Sequence, residues 1–103
     1  MAEFSKQGDV STTGTVLYTG SSSTTLTKII SIRFNNPGAY DLKLEKLDYA
    51  TSTTNTIYDL SLSAGDTVTD NFTYALNPGD ELIATASITG TTYYIYGIDY
   101  ASS

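Results

Sequence analysis

Through most of this chain, apolar and polar side chains change places every second residue, in one short segment after another. A period of two belongs to a strand lying half-buried in a sheet. An amphipathic helix needs apolar residues at i, i+3, i+4 and i+7, and no stretch keeps that spacing for two turns. The cleanest case is residues 40–45, where Tyr40, Leu42 and Leu44 point one way and Asp41, Lys43 and Glu45 the other. In residues 26–34, Leu26, Ile30, Ile32 and Phe34 share a face and Thr27, Ser31 and Arg33 the opposite one, with Lys28 and Ile29 out of phase. The side chains involved are branched or aromatic, and their restricted χ1 suits a pleated surface better than a helix.

The phase breaks where Leu47 and Tyr49 fall on odd positions, which predicts a bulge or bend near Glu45–Lys46. Residues 51–55 read as a hairpin loop, followed by an inward row of Tyr58, Leu60 and Leu62. Two turns then repeat one pattern fourteen residues apart, residues 62–68 (LSAGDTV) and 76–82 (LNPGDEL). In each, Gly supplies the positive φ of the turn and the following Asp caps free backbone N–H groups. Val68, Phe72, Tyr74 and Leu76 alternate between them, and Leu82, Ala84, Ala86 and Ile88 beyond. The last strand, residues 92–100, sets Tyr94, Tyr96 and Ile98 against Tyr93 and Ile95. With a strand around residues 15–18, this predicts an all-β fold, a two-sheet antiparallel β-sandwich of seven or eight strands. Eight strands make a jelly roll, the layout we expect; seven lie nearer an immunoglobulin-like one.

A chain of 103 residues holds one such core. We place the sandwich at residues 14–103 and read residues 1–13 as a short flexible N-terminal arm. That segment is either frayed or becomes ordered on a neighbouring subunit with Phe4 as its anchor. Ser21–Ser23 forms a second flexible stretch. The start has no apolar run of the kind found in a secretory signal, so synthesis in the cytoplasm is expected, and no run approaches the length that spans a bilayer.

Cys, Trp and His are absent, which removes disulfides, thiolate or imidazole metal sites, Cys nucleophiles and His-dependent triads. The remaining acids sit mostly in turns or on outward faces, and a domain this small has no deep cleft for a carboxylate pair. We therefore expect no enzyme, no cofactor and no small-molecule substrate. A calcium site built from Asp66, Asp70, Asp80 and Glu81 lacks EF-hand spacing, and turn capping already accounts for two of them; no metal is expected. Asn71-Phe72-Thr73 matches a glycosylation acceptor, but without a secretory route the match carries no weight. A net charge of −6 argues against binding nucleic acid or an anionic membrane. All five bases lie in the first 46 residues, beside four acids, and the rest holds seven acids and no base. Such an asymmetry either keeps copies apart in solution or makes one acidic end that meets a basic partner.

Nine tyrosines are many for this length. Tyr40, Tyr58, Tyr74 and Tyr96 read as core or core-edge residues. Tyr18, Tyr93 and Tyr100, with Phe4, are the candidate interface residues, because a rigid ring with a hydroxyl tip suits a contact surface.

The succession of a Thr-rich first strand, a strand ending in Asn35-Asn36, the amphipathic strand 40–44 and the paired turns 60–68 and 76–82 resembles small β-sandwich structural proteins of tailed bacteriophages. The resemblance covers about residues 15–100. It implies a virion component present in many copies, partnered by the major capsid protein or other virion structural proteins. The short N-terminus favours an auxiliary or decoration protein on the capsid surface, bridging capsid subunits, over a tail, neck or fibre module. A carbohydrate-binding or adhesive module is the third reading.

Overall fold

The computed structural model describes residues 2–22 and 24–101. Met1 of the expected arm and Ser23 of the serine run lie outside the described residues. Nine strands follow one another: β1 (Ala2–Val10), β2 (Thr15–Thr19), β3 (Thr24–Asn35), β4 (Tyr40–Asp48), β5 (Thr53–Leu62), β6 (Thr67–Asp70), β7 (Tyr74–Leu76), β8 (Glu81–Ala86) and β9 (Thr91–Ala101). All pairings are antiparallel. One sheet runs β1-β9-β3, with β6 and β7 sharing the far edge of β3; the other runs β2-β8-β4-β5. Two four-position layers with the chain crossing between them are the jelly-roll form of the sandwich. The count exceeds eight because one edge strand is broken in two. β6 and β7 are two pieces of one edge, and residues 2–10 pair along β9 from Ala2↔Asp99 to Val10↔Thr91. The segment read from sequence as an arm therefore lies, over those residues, on this chain's own sheet.

Side chains from both sheets meet in a core whose largest fully buried members include Leu17, Ile29, Ile32, Phe34, Leu42, Leu44, Leu76, Leu82 and Ile95. The alternation of β4 is as its sequence predicts, Tyr40, Leu42 and Leu44 all being buried. In β3 the inward row is Thr27, Ile29, Ile32 and Phe34, not the row containing Leu26 and Ile30. The ladder to β9 slips between Ile29 and Ser31, so Ile30 is an extra residue and the strand changes phase across it. The slip expected near Glu45 occurs there, but the extra residue is Ile57 of β5. The pairs run Leu44↔Tyr58 and then Glu45↔Thr56, while β4 pairs with β8 without interruption.

The two similar turns in the sequence are similar in space. Gly65 and Gly79 have φ of 80° and 88°. Each Gly N–H donates to a neighbouring loop carbonyl, Asn36 in the first case and Gly20 in the second, both at 2.9 Å. Asp66 Oδ2 accepts the Ser63 N–H and Asp80 Oδ2 the Asn77 N–H, both at 3.0 Å. They differ in burial. Asp80 also accepts the Tyr49 N–H at 2.9 Å and faces Lys46 Nζ at 3.6 Å, and is 2% exposed.

Candidate functional site

Three surface features carry the aromatic and charged residues the sequence singles out. On one side of the sandwich β1 overhangs β2. Phe4 crosses Gly97, its register partner on β9, and stacks on Tyr18 with ring centroids 4.2 Å apart and planes 11° from parallel. Gly97 is what lets the ring lie there, since a Cβ at that position would sit 2.6 Å from Phe4 Cζ. The Tyr18 hydroxyl donates to Asp99 Oδ2 at 2.7 Å, and the buried Thr27 hydroxyl donates to Asp99 Oδ1 at 2.5 Å. Burial first, and then the Asp99 carboxylate, push the Tyr18 phenol up to about 12. The structure thus brings Phe4 and Tyr18 together as a clasp that closes this side of the chain's own sandwich.

The second feature is the outer face of the five-stranded sheet. Tyr94, Tyr96 and Ile98 of β9 line it beside Lys28 and Arg33 of β3, because Tyr94 pairs with Arg33 and Ile98 with Lys28. Lys28 Nζ lies 5.4 Å from the centroid of the Tyr100 ring. Tyr96 donates to Glu3 Oε1 at 2.7 Å, and that carboxylate raises its phenol above the usual value. A shallow depression of about 510 Å³ lined by Gln7, Asp9, Arg33, Asn35 and Tyr94 ends this face.

Opposite the Phe4 clasp, the sandwich is open between β5 and the β6–β7 edge. This groove, about 390 Å³, is lined by Ile57, Tyr58, Leu60, Val68, Phe72 and Tyr74. Phe72 is 69% exposed and Leu60 36%. Asp70 Oδ2 accepts both the Tyr58 hydroxyl at 3.0 Å and the Tyr74 hydroxyl at 2.7 Å, and Oδ1 accepts the Phe72 N–H at 2.9 Å. Burial, with Asp70 next to them, raises both phenols well above their ordinary range.

Two tyrosine assignments from the sequence are corrected. Tyr93, a candidate contact residue, is 6% exposed and belongs to the core; Tyr96, read as a core or core-edge residue, is half-buried on the outer face. In sequence the row Tyr94-Tyr96-Ile98 is the more apolar one. The row Tyr93-Ile95-Gly97 faces inward, and Phe4 fills the space over Gly97. Tyr94, 45% exposed, and the Asp70 cluster were not singled out. The signal for Tyr94 was its opposition to Tyr93. Asp70 had none, because its two tyrosines come from different sheets. Among the described residues no group of three or more Asp or Glu is placed to hold a metal ion.

No family model matches the sequence, and no curated protein does. The solved structures that share the fold include two that are informative. One comes from work on Bacillus endospore appendages that form disulfide-linked pili, with a TM-score of 0.53 and 10% identity over 99% of this chain and 87% of that one. The other is a pentameric capsid protein from metagenomic phage sequences, with a TM-score of 0.55 and 16% identity over 95% of this chain and 62% of that one. This chain spans less than two thirds of the capsid protein's length, and at these identities the likeness is one of fold.

Proposed function

We propose that this protein is a non-enzymatic structural subunit of a bacteriophage particle, an auxiliary protein that sits on the capsid surface in many copies and bridges capsid subunits. The observation that carries the reading is where its chemistry lies. The aromatic and cationic groups of Tyr94, Tyr96, Tyr100, Lys28 and Arg33 are spread over a sheet face, a layout suited to contact with another protein. The fold shared with a phage capsid protein along 95% of the chain supports the same reading. The test is to separate heads from tails of particles made with this protein and count its copies by quantitative mass spectrometry. Hundreds of copies on tail-less heads are expected; recovery only with tails assigns it to a tail or neck part instead.

A second reading is a subunit of a self-assembled filament, favoured by the pilus fold matched along 99% of the chain. Those pili are disulfide-linked, and this chain has no cysteine, so its copies have to be joined by other means.

A further inference from the structure

Both sheets end in long strands with one side unpaired. β1, nine residues, is the free edge of one sheet; β5, ten residues, is the free edge of the other, on the opposite side of the molecule. The remaining edges are short, five residues in β2 and four and three in β6 and β7. A long strand with unmet N–H and C=O groups is a template for pairing, and proteins usually blunt it with proline, bulges or several charges. β5 has one bulge, at Ile57, no proline, lysine, arginine or glycine, and a single acid, Asp59. β1 carries two acids, Glu3 and Asp9, near its ends and a single base, Lys6, at its centre, so Lys6 and Asp59 are the mid-strand charges of the two edges. Both side chains are exposed, and among the described residues neither makes an ion pair; Lys43, directly across from Asp59, turns to Glu45 instead.

From this we infer that copies of the chain join head to tail, β1 of one pairing with β5 of the next, with Lys6 against Asp59. The inference rests on the reading of the chain as a multi-copy structural subunit and names its partner as a second copy. Three features select this pairing. In an antiparallel register with Lys6 opposite Asp59, residues 3–7 face residues 62–58, up to the bulge at Ile57, so the register that neutralises the two charges also uses the regular half of β5. Pairing β1 with β1 in a centred register sets Lys6 against Lys6 and Glu3 against Asp9, and pairing β5 with β5 brings no opposite charges together, which favours the unlike pair.

The faces also fit. Lys6 is on the core side of its sheet, because it pairs with Ile95, whereas Asp59 is on the outer side, because it pairs with Lys43. With both on one face, the next molecule steps past the first by one sheet spacing, about 10 Å. Each second sheet then falls on a different side of the shared layer, without collision. The same step carries the exposed Phe72 of one copy towards Tyr94 and Tyr96 of its neighbour. Since β1 and β5 lie on opposite sides, the contact is heterologous and repeats into a ring or a filament.

The test is charge reversal with rescue, on the full chain, by sedimentation velocity over a concentration series with circular dichroism as the folding control. The wild type is expected to form species larger than dimers as concentration rises. Lys6→Glu and Asp59→Lys, both at exposed positions, are each expected to stay folded and lower the association constant about tenfold or more, since each replaces an attractive pair by a repulsive one. The double variant is expected to regain assembly. A wild type monomeric up to its solubility limit, assembly that stops at two copies, or single variants that associate like wild type overturns the inference. Its failure is distinguishable from that of the capsid reading. A monomer that still loads onto heads removes the strand pairing and leaves the capsid role; a purified protein that assembles but is absent from particles does the reverse.

Discussion

The two Gly-Asp turns offer a controlled comparison of what one side chain costs. Gly65 and Gly79 share sequence context, positive φ and backbone hydrogen bonding, but a Cβ on Gly65 meets nothing within 4 Å whereas one on Gly79 lies 2.6 Å from Tyr49 Cγ. Gly65→Ala therefore reports the backbone penalty alone, about 1–2 kcal/mol for an L-residue held in the left-handed region. Gly79→Ala adds displacement of Tyr49, whose N–H is tied to the buried Asp80. It is expected to cost at least about 1 kcal/mol more. Urea unfolding of the two variants checks this, and equal losses would mean that the Tyr49 ring moves aside freely.

At the scale of the strand, the alternation in β4 makes adjacent positions opposite in consequence. Leu44 is fully buried between the sheets, and a carboxylate there has no partner, so Leu44→Asp is expected to cost on the order of 4 kcal/mol or more and abolish folding. Ile32→Asp does the same from the facing sheet. Lys43→Asp, one residue from Leu44, loses an exposed 3.6 Å contact with Glu45 and sets a carboxylate across from the exposed Asp59, a cost of about 1 kcal/mol, and is expected to fold normally. Circular dichroism melts with equal damage at positions 43 and 44 would contradict the register. β4 was legible because the rule of two holds along its whole inward half. β3 was legible only as a strand: the apolar pair Ile29-Ile30 has no phase of its own, and only pairing with β9 decides that Ile30 is the bulged residue. The same holds for the slip in β4–β5, visible in sequence on β4 but absorbed by Ile57 across the ladder. The site was less legible than the fold, since which of Tyr93 and Tyr94 faces the core is settled where β9 pairs with β1 and β3, far away in sequence. Long-range pairing of this kind leaves no local pattern to read.

For the whole molecule, the jelly roll undoes the charge asymmetry seen along the chain. β9 lies between β1 and β3, and β8 between β2 and β4, so the acidic second half is interleaved with the half that holds every base. The Lys46–Asp80 contact is one such crossing. What does accumulate across the fold is a set of tyrosines bonded to carboxylates of other strands: Tyr18 to Asp99, Tyr58 and Tyr74 to Asp70, Tyr96 to Glu3. Their phenols are all raised, and this makes the fold labile in alkali. Below about pH 10 the phenols are protonated whether the chain is folded or not, so the stabilisation they give is complete there. Above that value the unfolded chain releases their protons while the folded one retains them, and each proton released favours unfolding. For Tyr18 the loss runs from about pH 10 to its folded value of about 12. The melting temperature is accordingly expected to be steady from pH 7 to 9 and to fall steeply beyond pH 10. Tyr18→Phe and Tyr58→Phe forfeit a hydrogen bond at neutral pH, but each removes one titrating group and makes the alkaline decline shallower. All other ionisable groups are common to the three proteins, so the difference in slope isolates the phenols. Parallel declines in wild type and both variants would show that these tyrosines give up their protons as readily in the sandwich as outside it.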